Sequence, residues 1–305
     1  MTGWKRWIIA GRPWGTPIHV VPLFMGTALA WVHTGQFHAG RFAATWIALY
    51  LAHSAANMIS DVFDWRRGLD RVIVPTSGAI ERGLLTDRQT LAGGCVAMLA
   101  ALAIGAGLTA RSAPGLIGVI LAGGLLLLAY SLLKRIVLGD LAVFLAFGPL
   151  IGLGSWMVQT GVYSPIPLWT LTPFGLVVIA VLHANNWRDI ADDRAAGVRT
   201  VASVLGDRGS LIYYTALILG PYVLMAAGMV LPRAGWMAGP PFPWTLALTL
   251  AALPQALHLL RRARDRHTPV RPDDFLALDG ATAAFMVPFG LWSVVAVVLS
   301  RWWGS

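Results

Sequence analysis

The sequence predicts an all-α membrane protein, a bundle of nine transmembrane helices around a central cavity. Three observations carry this reading. Of 305 residues, 57% are hydrophobic and 12% charged, about half the charged fraction of a soluble domain. Mean hydropathy is +0.67, and nine apolar stretches approach the ~20 residues that cross a bilayer core. All 14 acids, from Asp61 to Asp279, then fall on one side of the resulting serpentine.

In order, the stretches are 17–34, 41–60, 90–110, 113–133, 138–160, 166–187, 210–231, 241–261 and 280–303. The first has no small-residue cleavage site and is followed by further spans, so it reads as a retained helix. The second ends in a polar run that begins at His53. The third holds the lone Cys95, which excludes an internal disulfide. The fourth and fifth flank a short loop containing Tyr130, Lys134 and Arg135, and the sixth ends in a second polar run. The seventh and eighth lead to a basic segment that holds His258 and His267, read as interfacial. The ninth closes on Trp302 and Trp303, which suit an aromatic belt. No Ser/Gly-rich or charge-rich linker interrupts the series, so 1–305 reads as one domain.

Charge orients the bundle. Of 23 Lys and Arg residues, only Arg41, Arg111, Arg233 and Arg301 fall opposite the acids. By the positive-inside rule the crowded face is cytoplasmic. Topology therefore accounts for the +9 net charge, and no nucleic acid is expected as a partner. A bias to Ala, Leu and Arg over Lys hints at a bacterial source, and hence at a bacterial cytoplasmic membrane.

The acids are clustered. One group follows the second span: Asn57, Ser60, Asp61, Asp64, Gly68 and Asp70. The other ends the sixth: Asn185, Asn186, Arg188, Asp189, Asp192, Asp193 and Gly197. Asn57, Asp64 and Gly68 have the spacing N-x6-D-x3-G, and Asn186, Asp193 and Gly197 repeat it, which suggests two pseudo-repeated halves facing one cavity. At about 100° per residue, His53, Asn57, Ser60, Asp61 and Asp64 share one helical face. Asn185, Asn186, Asp189, Asp192 and Asp193 share another. Such stripes line a bundle interior rather than face lipid. Carboxylates packed this densely repel one another, and a divalent metal carrying a polyphosphate is the counter-charge that suits them. The reading is an enzyme that handles a diphosphate at a membrane surface. Arg71, Lys134 and their neighbours bring cations to stabilise a departing pyrophosphate. His53 can bond Asn57 or relay a proton, with a satisfied bundle histidine the plainer alternative, and His183 reads as structural.

Together these residues resemble the UbiA superfamily of intramembrane prenyltransferases. Gly11 to Pro17 is similar to the family's ARP-x-T-x-P entry. Asn57 to Asp70 is similar to N-x-x-N-D-x-x-D-x-x-x-G-x-D, with Ser60 in place of the second Asn. Pro75 to Gly78 resembles its P-x-S-G loop. Gly139 to Leu150, Gln159 to Gly161, Asn185 to Arg194, and the following Gly197 to Thr200 resemble the 1,4-dihydroxy-2-naphthoate branch of menaquinone biosynthesis. Tyr130 to Arg135 instead looks like the loop of archaeal-lipid and chlorophyll-type relatives.

The resemblance implies Mg2+-dependent transfer of an isoprenyl group from a polyprenyl diphosphate to an aromatic acceptor, with the lipid bilayer around the tail. Asp61, Asp64, Asp189 and Asp193 would hold two Mg2+ ions, and Asn57 and Asn186 would ligate or orient. Asp70 and Asp192 are second-sphere acceptors or ordinary exposed acids. Arg12 or Arg188 would contact the acceptor carboxylate, a phosphate or a headgroup. Asn185, Arg71, Tyr130 and Lys134 complete the expected substrate contacts. A terpene cyclase on the same scaffold is the nearest rival. A secondary transporter would place its ionisable residues near the midplane. A CDP-alcohol phosphotransferase needs an Asp motif that is absent here.

Overall fold

The computed structural model describes residues 3–67, 78–134, 136–195, 197–267, 271–275 and 278–303. The helices are α1 (Lys5–Gly11), α2 (Pro17–Thr34), α3 (Ala39–Arg67), α4 (Asp87–Arg111), α5 (Leu116–Leu133), α6 (Gly139–Leu145), α7 (Ile151–Thr160), α8 (Ile166–Arg188), α9 (Ile190–Ala195), α10 (Val201–Val230), α11 (Leu253–Arg264) and α12 (Leu278–Trp303). No strand occurs among the described residues; a single isolated bridge joins Ile136 to Arg199.

Among the described residues, six units are long and apolar enough to cross a membrane: α3, α4, α6 with α7, α8, α10, and the stretch ending in α12. Three expected spans fall short of that measure. Helix α2 has 18 residues but carries His19, Thr27 and His33. Helix α5 is apolar over Leu116–Tyr130 only. The stretch 241–261 enters as a 3-10 helix, Trp244–Ala252, and becomes α-helical at Leu253. A protein of this pattern is nonetheless an integral membrane protein, because its outward faces are apolar: Leu99, Leu121, Leu125, Leu128, Ile212 and Val223 are all exposed.

Helix α8 forms the centre. Buried residues make up 61% of its apolar window, against 28% for α3 and for α4, and α8 packs on α10, α12 and α6. Close crossings rest on glycine. A Cβ on Gly148 would lie 3.0 Å from the Gly175 Cα, and one on Gly26 would lie 2.3 Å from the Gly152 carbonyl oxygen. Small residues let backbones approach where lipid supplies no hydrophobic drive between helices. Pro149 removes a backbone donor, and the ladder widens to a π turn over Ala146–Leu150 between α6 and α7.

On the face opposite the acids, arginines cap helix ends. Arg41 donates to the carbonyls of Arg111 and Val158, Arg233 to those of Met229 and Phe242, and Arg301 to that of Trp31. Cations at helix C-termini answer both the unpaired carbonyls and the dipole.

Candidate active site

Helix α3 runs unbroken from Ala39 to Arg67, so the first polar stripe is one helical face, as its spacing predicts. Asn57 Nδ2 donates to His53 Nε2 at 3.0 Å, and Ser60 Oγ donates to Asp64 Oδ2 at 3.3 Å. Asp61 is buried, and Arg12 Nη2 donates to its Oδ1 at 2.5 Å. Arg12 reaches it from the end of α1 in a left-handed conformation, φ 52°.

The second stripe departs from a continuous helix. Helix α8 ends at Arg188 and Asp189 caps it outside helical geometry, φ −94°, ψ 14°. The chain restarts as α9, whose first turn carries Asp192 and Asp193, where carboxylates suit a helix N-terminus. Asn185, half-buried, and Asn186, buried, therefore belong to one helix and Asp192 and Asp193 to the next, with Asp192 exposed. Gly197 ends α9 at φ +68°, and Val198 N donates to the Asp193 carbonyl at 2.7 Å. That reversal returns Thr200, which caps α10 and donates from Oγ1 to Asp193 Oδ2 at 3.2 Å.

Each of three acids has a cation. Arg12 holds Asp61. Arg188 forks onto Asp189 at 2.8 and 3.0 Å and also reaches Asp279 at 2.9 Å and Asn185 Oδ1 at 2.5 Å. Lys134 Nζ stands 3.9 Å from Asp193. Burial pushes the Asp193 carboxyl above the usual carboxylate range; Lys134 and Thr200 pull it back, while Asp189 and Asp192 push it further up. Lys134, just past α5, brings the end of that helix to the second stripe.

No three His, Cys, Asp or Glu among the described residues gather into a ready-made metal centre. Arg12, Lys134 and Arg188 pair instead with Asp61, Asp193 and Asp189. The oxygen-only donor set still fits Mg2+, which takes few carboxylates, keeps waters and shares phosphate oxygens. Asn186 Oδ1 and Arg12 Nε are among the buried polar atoms with no hydrogen-bond partner among the described residues. One can ligate or accept, and the other can donate to an anion. Asp70 and Arg71 lie outside the described residues, as do Gly68, Pro75, Thr76, Ser77 and Arg135.

An apolar cavity begins one turn from Asn57. It holds about 1030 Å³ of empty space, its open mouth included, and runs from His53 along α3, α4, α5 and α7. Ala52, Leu127 and Phe147 wall its acidic end, and Thr45, Leu116 and Val158 the far end.

Sequence reasoning missed several partners of these groups. Asp279 comes from α12, and nothing short of the α8–α12 contact brings it to Arg188. Asp140, buried, accepts from Tyr213 Oη at 3.1 Å. Thr200 ends the Gly197–Thr200 run, and a threonine before an apolar helix is the signal of an N-cap. Trp187 Nε1 donates to Asp207 at 3.0 Å, and Arg266 clamps the same carboxylate at 2.7 Å twice. His183 is fully buried with its ring 4.8 Å from Tyr213, consistent with a structural role.

Comparison with known proteins places the fold and the family. The UbiA prenyltransferase family model matches residues 19–278. The UbiA prenyltransferase domain-containing protein 1 homolog of Drosophila melanogaster is 30% identical over 278 residues, which are 87% of this chain and 73% of that protein. The apo structure of a UbiA homolog from Aeropyrum pernix K1 superposes with TM-score 0.69 at 17% identity, covering 92% of this chain and 97% of that one. A UbiA homolog from Archaeoglobus fulgidus bound to DMAPP and Mg2+ gives 0.63 at 14% identity, covering 95% and 99%. These matches do not single out the dihydroxynaphthoate branch. The chain belongs to the UbiA prenyltransferase family and is a membrane-bound enzyme that transfers prenyl groups.

Proposed function

We propose that this enzyme moves an isoprenyl group from a polyprenyl diphosphate to an aromatic diol, with 1,4-dihydroxy-2-naphthoate as the acceptor that the sequence resemblance selects. The observation that carries the reading is the adjacency of two unlike environments. Paired acids and cations crowd one helix end, and an apolar cavity starts one turn further in. A diphosphate head with a hydrocarbon tail has that polarity. The Archaeoglobus fulgidus homolog, bound to DMAPP and Mg2+, supports the same assignment.

In this reading Asp61, Asp64, Asp189 and Asp193 would hold two Mg2+ ions, with Asn57 and Asn186 as neutral oxygen donors. Bound Mg2+ neutralises the diphosphate and makes it a better leaving group. Arg188 holds Asp189 in one orientation. Lys134, from the α5–α6 elbow, turns from Asp193 to the departing pyrophosphate, and Tyr130 donates beside it. Arg188 is held by its three partners, and the acceptor carboxylate goes to Arg12, whose Nε has no hydrogen-bond partner among the described residues. The apolar walls exclude water from the allylic carbon. The whole chain, 1–305, acts as one domain, and the charge distribution supports a site on the cytoplasmic face. The Drosophila melanogaster relative lends no support to a bacterial source.

The test is incubation with Mg2+, radiolabelled geranylgeranyl diphosphate and a panel of aromatic acceptors, with a chelated control. Label in a prenylated diol, lost on chelation, is the expected result. Label in a free hydrocarbon without any acceptor identifies a cyclase instead.

A further inference from the structure

Four described polar side chains line the apolar cavity: His19, Thr45, His53 and Ser155. Three have partners. Thr45 Oγ1 donates to the Arg41 carbonyl at 2.7 Å, Ser155 Oγ donates to the Ile151 carbonyl at 2.7 Å, and His53 Nε2 accepts from Asn57. His19 is 1% exposed, and neither ring nitrogen has a hydrogen-bond partner among the described residues. Its ring centroid lies 5.1 Å from that of His53, which puts it at the acidic end of the cavity, where tail and diphosphate meet.

A buried imidazole bonded to nothing is costly and wants a donor or an acceptor. An isoprenoid tail has no polar atom to supply either. The diphosphate belongs to the acids beyond Asn57. The remaining reactant, a hydroxylated ring placed against the first tail carbon, supplies both. His183 is the instructive contrast. Its nitrogens also have no partner among the described residues, but its ring packs on Tyr213 in the core and it lines no cavity.

We propose that His19 is the hydrogen-bonding contact for a ring hydroxyl of the aromatic acceptor, and so sets the preference for diols. This rests on the aromatic-acceptor reading above. A site that hydrogen-bonds a substrate hydroxyl rejects the analogue without it far more strongly than an apolar wall does.

The experiment measures kcat/KM for 1,4-naphthalenediol and for 1-naphthol in the full-length enzyme with saturating prenyl diphosphate. Dividing one by the other in each variant cancels the intrinsic reactivity of the two rings. His19→Phe is expected to lower the preference for the diol tenfold or more, with KM for the prenyl diphosphate within twofold. His19→Gln keeps a polar end and is expected to retain much of the preference. His183→Phe is expected to leave it unchanged. An unchanged preference in His19→Phe overturns the proposal, as does an equal loss in His183→Phe or an equally large loss in His19→Gln. If the wild-type enzyme prenylates no aromatic ring, the acceptor reading fails and this inference falls with it. An active wild type with an indifferent His19→Phe variant sinks the inference alone.

Discussion

Replacing Arg188 tests whether the second acid cluster is held for metal binding or merely for packing. Its guanidinium makes four hydrogen bonds to three residues. Two of these residues are carboxylates whose side chains are 35% and 27% exposed, against 23% for the arginine. Hydrogen bonds to charged groups contribute about 1.5–3 kcal/mol each when buried. At this exposure water screens both ion pairs, so each is discounted toward ~1 kcal/mol. Arg188→Ala should then destabilise the fold by only about 2–3 kcal/mol. The larger effect is functional. Asp189 caps α8 outside helical geometry and owes its orientation to the fork; losing such a support typically costs 10- to 100-fold in metal affinity or activity. Arg188→Lys keeps the charge but cannot fork, and should fall between. The assay is initial rate against Mg2+ concentration, with thermal unfolding in the same detergent. A shift of the Mg2+ midpoint by at least about tenfold with a modest loss of stability is expected. An unchanged Mg2+ midpoint in a destabilised protein would refute the reasoning and leave Arg188 as a packing residue.

Three further outcomes follow from the same geometry. Asp64→Ala or Asp193→Ala should cut turnover by about 10³-fold or more, while size exclusion and far-UV circular dichroism stay native; wild-type-like product from either variant removes the two-metal assignment. Lys134→Gln should move the acidic limb of the pH–rate profile upward. Asp193 must be ionised to act, burial already raises its pKa, and Lys134 is the main group pulling it down; activity is therefore lost at a higher pH as pH falls, and a limb that stays put separates Lys134 from Asp193. Gly26→Ala places a methyl 2.3 Å from a backbone oxygen and 2.9 Å from the Ser155 Cβ. With no flexible side chain to yield, it should cost about 1–3 kcal/mol or more, read as a lowered unfolding temperature in detergent.

Composition and charge placement made the membrane class legible, because transfer of apolar residues to lipid and retention of positive charge on one face are local properties of each segment. The polar face of α3 was equally legible, since a continuous helix preserves periodicity from His53 to Asp64. The second stripe was not. Spacing alone cannot register the stop at Asp189, nor that Arg188 beside it meets Asp279 on α12. The shortfalls of α2, α5 and the 241–261 stretch were hidden for a similar reason, since an apolar run scores alike as an α-helix, a 3-10 helix or a broken pair. His19 shows the limit most plainly. In the chain it is one of two histidines in an apolar run, and only the packing of α2 against α3 makes it, among the described residues, the unpartnered polar group lining a hydrocarbon cavity. Helix identity and sidedness follow from short-range energetics carried in the sequence. Which carboxylate meets which cation, and which imidazole meets none, is decided by contacts between segments far apart in the chain.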